Sequence, residues 1–196
     1  MKIVGVCASP RQGKTSFQAM KVCLEAAQAA GMETVLIELA GKKINACLAC
    51  GKCVKELNCS QDDDFNQLIP TLADPELGGL ILASPVYLSG MTAQAKAFLD
   101  RMVMFRRNGF LLQNKVGGAI AVGGFRNGGQ ELVIQAIHAG LLAQDMVVVS
   151  EGKPTSHLGA TCVGSPQGEL AGDEFGLKIA ASLGRRVAEV AAKLNG

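Results

Sequence analysis

Short apolar runs alternate with longer amphipathic stretches along this chain. The apolar runs predict five strands: Lys2 to Ala8, Thr34 to Leu39, Leu80 to Ala83, Val116 to Val122 and Met146 to Val149. The stretches between and after them predict helices over 14–30, 63–73, 92–105, 128–142 and 173–194. Strands that are this continuously apolar need cover on both faces, which a parallel sheet with helices on either side provides. The pattern therefore predicts a doubly wound α/β fold.

Two segments show neither the apolar pattern of a strand nor the amphipathic pattern of a helix. One, 40–61, follows the second strand and holds four cysteines; the other, 151–172, is rich in Gly, Ser, Thr and Pro. Loops of this length in a compact domain are usually functional or mobile. In a parallel sheet every strand-to-helix loop emerges at the carboxyl edge. We therefore expect the cysteine loop to share that edge with the loops after strands one, three and four.

Composition narrows the class of protein. The chain has 196 residues, 48% of them hydrophobic, which predicts one domain over 1–196 with a cysteine-rich loop at 41–61. A formal net charge of +2 with scattered basic residues does not favour nucleic acid as a partner. No apolar stretch approaches the ~20 residues that span a bilayer, so no membrane association is expected. Seven cysteines without a signal-peptide pattern favour a reducing compartment, the cytoplasm.

Four of the seven cysteines lie within thirteen residues, at Cys47, Cys50, Cys53 and Cys59. Thiolates are the usual ligands of a [4Fe-4S] cluster, and two-residue spacers let successive thiolates converge on one small inorganic body. We therefore interpret these four residues as cluster ligands. A zinc site is an alternative, although no His is nearby, and redox-active or inert thiols are another. Ser60 stands where bacterial ferredoxins carry Pro after the last cysteine, so this is not a ferredoxin sequence.

The loop after the first strand reads Ser9-Pro10-Arg11-Gln12-Gly13-Lys14-Thr15-Ser16 and opens a predicted helix. Hydroxyls, backbone N–H groups and a cationic side chain at a helix N-terminus favour an anion, so a phosphate site is predicted. Ordinary N-capping by one hydroxyl is the alternative. A nucleotide P-loop fits less well, because Ala8 replaces its first Gly and Pro10 lacks a backbone N–H. Strand three also ends at Ser84-Pro85, where an Asp for magnesium would be needed.

The loops after strands three and four carry further candidate residues. Ser84-Pro85-Val86-Tyr87 ends with the chain's one tyrosine, whose ring either lies beside a flat cofactor or packs in the turn. The next loop contains four glycines, which allow close backbone approach to a ligand: Gly123, Gly124, Gly128 and Gly129. Asn127 is a predicted N-cap of the helix that follows.

Together, these motifs resemble the flavodoxin-like NADPH-dependent FMN reductase superfamily and, within it, the iron-sulfur flavoproteins. The resemblance covers nearly the whole chain and rests on four segments: Ser9-Pro10-Arg11 with Thr15-Ser16, the cysteine motif running into Asp62-Asp63-Asp64, Ser84-Pro85-Val86-Tyr87 with Met91-Thr92-Ala93, and 123–131. It implies a flavodoxin-like five-stranded parallel sheet in the order 2-1-3-4-5. Lys14 departs from the pattern, because relatives often carry Asn before the Thr.

The resemblance also implies cofactors, sites and partners. It assigns the FMN phosphate to Ser9, Arg11, Thr15 and Ser16. It places along the flavin Pro85, Val86, Tyr87, Gly123, Gly124, Asn127 and Gly128. It further implies ferredoxin as electron donor, small oxidants such as oxygen or peroxide as acceptors, and a homodimer or homotetramer in which cluster and flavin meet across a subunit boundary.

Two redox centres in one chain suggest a division of labour, since a cluster transfers one electron at a time and a flavin accepts one or two. The hypothesis is an FMN-containing oxidoreductase in which electrons pass from the donor through the cluster to FMN and on to an acceptor. Two alternatives stay open. One is an FMN-dependent NAD(P)H reductase of quinones, flavins or metal ions without a cluster, and the other is a non-catalytic redox carrier or sensor.

No side chain is indicated as a catalytic acid or base. His138 lies inside a predicted helix and is interpreted as structural, whereas His157 in the irregular loop is either solvated or borders the flavin. Cys7 and Cys23 are interpreted as small core residues. Cys162 is left open between a buried, an exposed and a cofactor-adjacent position.

Overall fold

A parallel β-sheet forms the centre of the molecule, whose computed structural model describes residues 1–165, 167–170 and 172–195. Its strands are β1 Lys2–Cys7, β2 Glu33–Glu38, β3 Leu77–Pro85, β4 Val116–Gly123, β5 Val147–Val148 and β6 Ala160–Val163. The strand order is β2-β1-β3-β4-β5, with β6 also paired to β4 and all pairs parallel. The predicted doubly wound fold and the order 2-1-3-4-5 are confirmed.

Helices cover both faces of this sheet. They are α1 Thr15–Ala29, α2 Ile69–Leu72, α3 Ala93–Arg101, α4 Val103–Arg107, α5 Gln130–Leu142 and α6 Glu174–Asn195, with 3-10 helices at Lys52–Val54 and Asp64–Leu68. One face packs α1 and α6 against residues such as Ile3 and Ile81. The other face packs the remaining helices around Phe65, Phe98 and Phe105. The two apolar clusters bury strands that the hydrophobic pattern marked as covered on both sides.

The close contact between α1 and α6 depends on a glycine. A Cβ atom at Gly184 would collide with the backbone carbonyl oxygen of Cys23 and would lie 3.3 Å from the amide nitrogen of Ala27. Any larger residue there would force the two helices apart, because backbone atoms cannot rotate away as a side chain can.

The last strand of the sheet differs from its prediction. The run from Met146 to Val149 forms only the two-residue β5, which pairs with Val116 and Gly117 of β4. The chain then loops out over 149–159 and returns as β6, which pairs with the second half of β4 from Ile120 to Gly123. The segment 151–172, expected to be irregular, therefore contains an unpredicted strand, while positions 166 and 171 within it lie outside the described residues.

Two helices also differ from prediction. The helix expected over 63–73 is a 3-10 turn followed by the short α2, which has a proline in its first turn. Proline lacks an N–H donor, so it is accommodated at a helix start but not in a helix interior. The helix expected over 92–105 is divided at Met102 into α3 and α4.

The parallel strands bring four loops to the carboxyl edge of the sheet. They comprise residues 8–14 after β1, 39–63 after β2, 86–92 after β3 and 124–129 after β4. This is the edge at which doubly wound sheets bind ligands. Within the described ranges, none of the helices is both long and apolar enough to cross a membrane.

Candidate cofactor site at the carboxyl edge

The loop after β1 leaves the start of α1 without a side-chain cap. Lys14 occupies the N-cap position, and its side chain makes no capping hydrogen bond. Ser16 is fully buried, and its Oγ has no hydrogen-bond partner among the described residues. Buried polar atoms are normally paired. An unpaired hydroxyl at the uncapped N-terminus of this 15-residue helix is therefore an arrangement that suits an anion.

The other predicted phosphate residues surround this helix start. Ser9 is buried, and its Oγ accepts a hydrogen bond from the backbone N–H of Arg11 at 3.1 Å. Thr15 is buried beneath the backbone of Gly164, where an added Cβ would touch the threonine side chain. Arg11 is exposed at the mouth of the loop, with its guanidinium beside Gly168. The structure thus buries the three hydroxyl residues at this helix start and leaves the arginine exposed at the rim.

Tyr87 is presented by a tight turn after β3. Its N–H donates to the carbonyl of Gly90 at 2.9 Å, and the N–H of Gly90 donates back to the carbonyl of Tyr87 at 3.0 Å. The two residues between them, Leu88 and Ser89, have positive φ angles of 48° and 61°, as a two-residue hairpin turn requires. Tyr87 stays half exposed. It lines a cavity of about 310 Å³ together with Pro10, Gly41, Thr92, Ala93 and Gln94. This cavity joins the loops after β1, β2 and β3.

The predicted flavin residues Pro85 and Val86 continue β3 to this turn. Pro85 is the last residue of the strand, and the N–H of Val86 donates to the carbonyl of Val122 in β4 at 2.9 Å. The backbone at this point is therefore held by the neighbouring strand.

The glycine-rich loop after β4 is ordered by Gln130. Its Oε1 accepts a hydrogen bond from the N–H of Gly128 at 2.8 Å, and its Nε2 donates to the carbonyl of Phe125 at 2.6 Å. An added Cβ at Gly124 would have open space around it, whereas one at Gly123 would collide with the Gln130 side chain. The capping prediction for Asn127 is wrong: Asn127 has a φ of 61°, and α5 begins after Gly129 without a side-chain cap.

The loops after β3 and β4 touch each other. A Cβ at Gly129 would lie 3.1 Å from the Cα of Ser89, so the glycine permits the two loops to pack backbone to backbone. This contact aligns the two segments that are predicted to lie along the flavin. The distance between either segment and the phosphate-binding loop is then fixed by the parallel register of β1, β3 and β4.

The cysteine loop runs from the end of β2 to the 3-10 helix at 64–68 and contains one short 3-10 turn, Lys52–Val54. Cys47, Cys53 and Cys59 are half-buried, Cys50 is exposed, and all four thiols are free. The Sγ of Cys50 lies 3.1 Å from the Oγ of Ser60. This hydrogen bond is the main reason that the pKa of Cys50 is lowered. In the described part of the chain, no three His, Cys, Asp or Glu residues are already arranged to hold a metal ion.

Two arginines from α3 and α4 approach the cysteines. Arg107 Nη1 donates to the Sγ of Cys53 at 3.5 Å, and the neighbouring Asn108 Nδ2 donates to the carbonyl of Cys53 at 2.8 Å. The pKa of Arg107 is raised, first by its hydrogen bond to Cys53 and then by the charges of Cys53, Cys47 and Cys50. The pKa of Arg101 is also raised: burial lowers it, but the hydrogen bonds and charge of Asp63, with a smaller contribution from Cys59, outweigh burial. The two arginines therefore place positive charge beside the cysteine loop.

A buried ion pair fixes both ends of the cysteine loop. Arg101 donates to the two carboxylate oxygens of Asp63 at 2.8 and 3.0 Å, and both side chains are almost fully buried. Asp63 also accepts from the backbone N–H groups of Asn45 and Phe65. Burial by itself would raise the pKa of Asp63, but the hydrogen bonds from Arg101 and Asn45 outweigh it, so the pKa lies below its ordinary value. Arg101 was not predicted from the sequence.

The remaining cysteines are buried. Cys7 and Cys23 lie in the core, as predicted, and burial raises the pKa of Cys7 to about 12 and that of Cys23 further still. Cys162, left open by the sequence, is buried in β6, and burial raises its pKa to about 12. None of these three thiols carries the low pKa that a reactive or ligating cysteine needs. Burial also lowers the pKa of His138, within α5.

The sheet order and the loops at its carboxyl edge define the class of protein as flavodoxin-like. The family model for NADPH-dependent FMN reductase matches residues 1–161. The chain is 43% identical to an iron-sulfur flavoprotein of Methanocaldococcus jannaschii over 190 residues, covering 97% of each chain. It is 40% identical to an iron-sulfur flavoprotein of Methanosarcina thermophila over 159 residues, covering 81% of each.

A solved structure shows the same fold. The crystal structure of RosB with bound 8-demethyl-8-formylriboflavin-5'-phosphate superposes with a TM-score of 0.73 at 17% identity, covering 99% of this chain and 80% of that one.

The chain therefore belongs to the NADPH-dependent FMN reductase family and, within it, to the iron-sulfur flavoproteins. It is a flavin oxidoreductase or electron-transfer protein that uses FMN. The family resemblance expected from the sequence motifs is confirmed.

Proposed function

We propose that this protein passes electrons from a one-electron donor such as ferredoxin, through a [4Fe-4S] cluster and FMN, to a small acceptor such as oxygen or peroxide. The observation that carries the proposal is the unpaired, buried Ser16 hydroxyl, which lies at the same edge of the sheet as four free cysteines. The proposal includes a single FMN-binding domain over 1–196, a cytoplasmic location and a homodimer or homotetramer.

The residues present at the carboxyl edge fit FMN. Ser9, Arg11, Thr15 and Ser16 would hold its phosphate, because the unpaired Oγ of Ser16 and the uncapped amides of α1 need an acceptor. The residues proposed to lie along the flavin are Pro85, Val86, Tyr87, Gly123, Gly124, Asn127 and Gly128. The open space around Gly124 supports this placement. When bound, FMN supplies one- or two-electron chemistry.

The four loop cysteines fit a cluster by their donor chemistry. Cys47, Cys50, Cys53 and Cys59 would be its ligands, and Arg107 and Asn108 hold Cys53 by hydrogen bonds to its Sγ and its carbonyl. When bound, a [4Fe-4S] cluster supplies one-electron transfer. Because β2 is the outermost strand, its loop lies at the side of the sheet. This position supports the proposal that the cluster of one subunit meets the flavin of another.

The test is to purify the protein without oxygen and quantify iron, acid-labile sulfide and released flavin in one sample. The proposal expects about four iron and four sulfide atoms per FMN, with a broad cluster absorption beneath the flavin bands. FMN without iron, even after anaerobic reconstitution, would contradict the cluster. Absence of both would contradict the whole proposal.

Replacement of Cys50 by Ala tests the ligand assignment. Loss of one of four ligands should abolish cluster content, whereas FMN should stay bound because its proposed site uses other loops. The matched control is Cys23→Ala, which removes a buried thiol of α1 and should leave iron content unchanged. A Cys50→Ala protein with full iron content would refute the assignment.

NAD(P)H is a second candidate for the electron donor, and the description of the matched family favours it. Rapid bleaching of the flavin by NAD(P)H alone would support an NAD(P)H-dependent reductase, whereas a requirement for reduced ferredoxin would support the cluster pathway. Turnover with any acceptor would argue against a purely non-catalytic redox carrier or sensor.

A further inference from the structure

The carboxylate of Glu38, the last residue of β2, reaches the loop after β1. Its Oε1 accepts a hydrogen bond from the backbone N–H of Gly13 at 2.7 Å. Such a short distance is usual for a hydrogen bond to a charged acceptor. In the parallel pairing of β1 and β2, Cys7 lies opposite Glu38, so the end of β2 is level with the start of this loop. The contact therefore joins β2 to the loop that is proposed to bind the FMN phosphate.

Gly13 is the residue at which the chain turns from this loop towards α1. Its φ of 66° lies in the left-handed region, which glycine adopts without strain. A Cβ atom at this position would have open space around it, so side-chain packing does not hold the residue in place. An unrestrained glycine has more conformational freedom than any other residue. The hydrogen bond from Gly13 to Glu38 restricts that freedom.

Few other contacts restrain this part of the loop. Among the described residues, no other hydrogen bond joins residues 10–14 to a strand of the sheet. The N–H of Arg11 donates to Ser9 within the loop itself. The carbonyl of Gly13 has a longer contact with α1, at 3.5 Å from Nε2 of Gln18. The Glu38 carboxylate is therefore the main connection between the sheet and the end of this loop.

The proposed phosphate residues lie on both sides of Gly13. Two of them, Ser9 and Arg11, precede it in the loop. The other two, Thr15 and Ser16, follow it at the uncapped start of α1. Because α1 is packed against the sheet, a rotation at Gly13 would move the first pair relative to the second. The geometry of the whole phosphate site therefore depends on the conformation of this glycine.

The charge of Glu38 does not favour a phosphate, because two negative groups close together repel each other. A carboxylate near a helix N-terminus can also stabilise the helix through its dipole, and α1 has no acidic residue in its first turn. The two roles differ in what they require. Interaction with the dipole needs the charge and acts without a ligand, whereas holding the N–H of Gly13 needs only a hydrogen-bond acceptor.

We propose that Glu38 is a positioning residue for the FMN phosphate: it holds the N–H of Gly13 and so aligns the phosphate residues on either side of that glycine. This role rests on the proposed function, because it requires the phosphate to bind at this loop. Riboflavin carries a hydroxyl group where FMN carries the phosphate. The contribution of Glu38 is therefore specific to FMN.

The test compares Glu38→Gln, which keeps an acceptor without the charge, with Glu38→Ala, which removes both. The full-length, flavin-free proteins are titrated with FMN and with riboflavin, and binding is followed by quenching of flavin fluorescence. Glu38→Ala should bind FMN about three- to tenfold more weakly than Glu38→Gln, which is the usual value of one hydrogen bond. Riboflavin should bind equally to both variants. Glu38→Gln should bind FMN at least as tightly as the unmodified protein, because the repulsion between carboxylate and phosphate is removed.

A second measurement reports the contact itself without any flavin. In protein labelled with ¹⁵N-glycine, the amide proton of Gly13 should resonate downfield in the unmodified protein and move upfield in Glu38→Ala, because its hydrogen bond is lost. The matched control is Glu33, which is exposed at the other end of β2. Glu33→Gln and Glu33→Ala should change neither the Gly13 resonance nor the affinity for FMN.

Equal FMN affinities of Glu38→Gln and Glu38→Ala would overturn the role of Glu38 and leave the proposed function intact. An equal loss of riboflavin and FMN binding in Glu38→Ala would also overturn it, since the effect would then not involve the phosphate. Equal affinities of the unmodified protein for FMN and riboflavin would instead contradict the phosphate site, and the role of Glu38 with it. None of these measurements needs a cluster or turnover, so failure of the cluster assignment does not affect them.

Discussion

The Ser16 hydroxyl is buried at the start of α1 without a partner. Leaving such a group unpaired costs about 1–3 kcal/mol, and folding alone does not recover this cost. A phosphate oxygen of FMN would accept its hydrogen bond. At the scale of single residues, this hydroxyl is therefore better explained by ligand binding than by stability.

Replacement of Ser16 by Ala separates these two explanations. FMN affinity should fall about tenfold or more, since a hydrogen bond to a charged group is worth about 1.5–3 kcal/mol. The FMN-free variant should be at least as stable to urea as the unmodified protein, because no hydrogen bond is lost. Affinity is measured by quenching of flavin fluorescence.

Ser182→Ala is the control for this variant. Ser182 is also a buried serine, but its hydroxyl accepts a hydrogen bond from Arg185 at 2.9 Å within α6. Its loss should reduce stability and leave FMN affinity unchanged. Unaltered FMN affinity in Ser16→Ala would show that the phosphate lies elsewhere.

At the scale of structural elements, the Asp63–Arg101 pair attaches the cysteine loop to α3. Asp63→Asn should lower the free energy of unfolding by about 3–5 kcal/mol, because Arg101 would then be a buried charge without its counter-ion. The measurement is urea unfolding of the cluster-free protein. The double variant Asp63→Asn with Arg101→Met should recover part of the loss, and additive losses would contradict this coupling.

The same pair predicts a pH dependence. The pKa of Asp63 is lower in the folded protein than its ordinary value of 3.8. Its stabilising contribution is thus complete above that value and is lost as the pH falls through the lower, folded-state pKa. The Asp63→Asn variant should show a flatter decline of stability with acid than the unmodified protein.

Substitution of two glycines separates a role in helix packing from a role in FMN binding. Gly184→Ala should destabilise the protein by about 1–3 kcal/mol, because its Cβ would collide with the α1 backbone. Gly124→Ala should have little effect on the stability of the FMN-free protein, since the space around it is open. It should instead weaken FMN binding. Equal thermal stabilities of the two variants would contradict the predicted contact between α1 and α6.

The strands and helices could be predicted where the local sequence determines them. Strands β1, β3 and β4 can be recognised in the sequence as apolar runs, because both faces of each strand are buried. Strand β6 is four residues long, and its pairing with β4 depends on a partner about 40 positions away along the chain.

The candidate site could also be predicted only in part. Contiguous motifs predicted the cysteine loop and the start of α1, whereas the Asp63–Arg101 ion pair and the Glu151–His157 hydrogen bond form only on folding. An arginine near the end of a predicted helix, such as Arg101 in 92–105, is ordinarily interpreted as interacting favourably with the helix dipole. Nothing in its sequence neighbourhood indicates the buried carboxylate that it binds.

At the scale of the whole molecule, the carboxyl edge exposes apolar side chains. Those on its loops and at the start of α6 include Leu48, Val54, Tyr87, Leu88, Phe125 and Phe175. Large apolar side chains exposed at one edge of a molecule often mark an interface. It supports the proposed homo-oligomer, in which one subunit covers the cofactor edge of another.

Leu88→Lys should weaken this self-association at least tenfold, because burying an unpaired ammonium in an apolar interface costs several kcal/mol. Analytical ultracentrifugation across a concentration series measures the effect. Leu142→Lys is the control, since Leu142 is also exposed but ends α5 at the opposite edge of the sheet. Identical sedimentation of both variants would place the interface elsewhere.

The divided outer strand has a consequence beyond the site. A long, continuous edge strand offers a row of free N–H and C=O groups on which another chain can build intermolecular pairing. Here that edge consists of two residues in β5 and four in β6, separated by the loop over 149–159. A foreign strand that aligned with one piece would meet the loop before it reached the other. This interruption therefore shields this side of the sheet from amyloid-like aggregation.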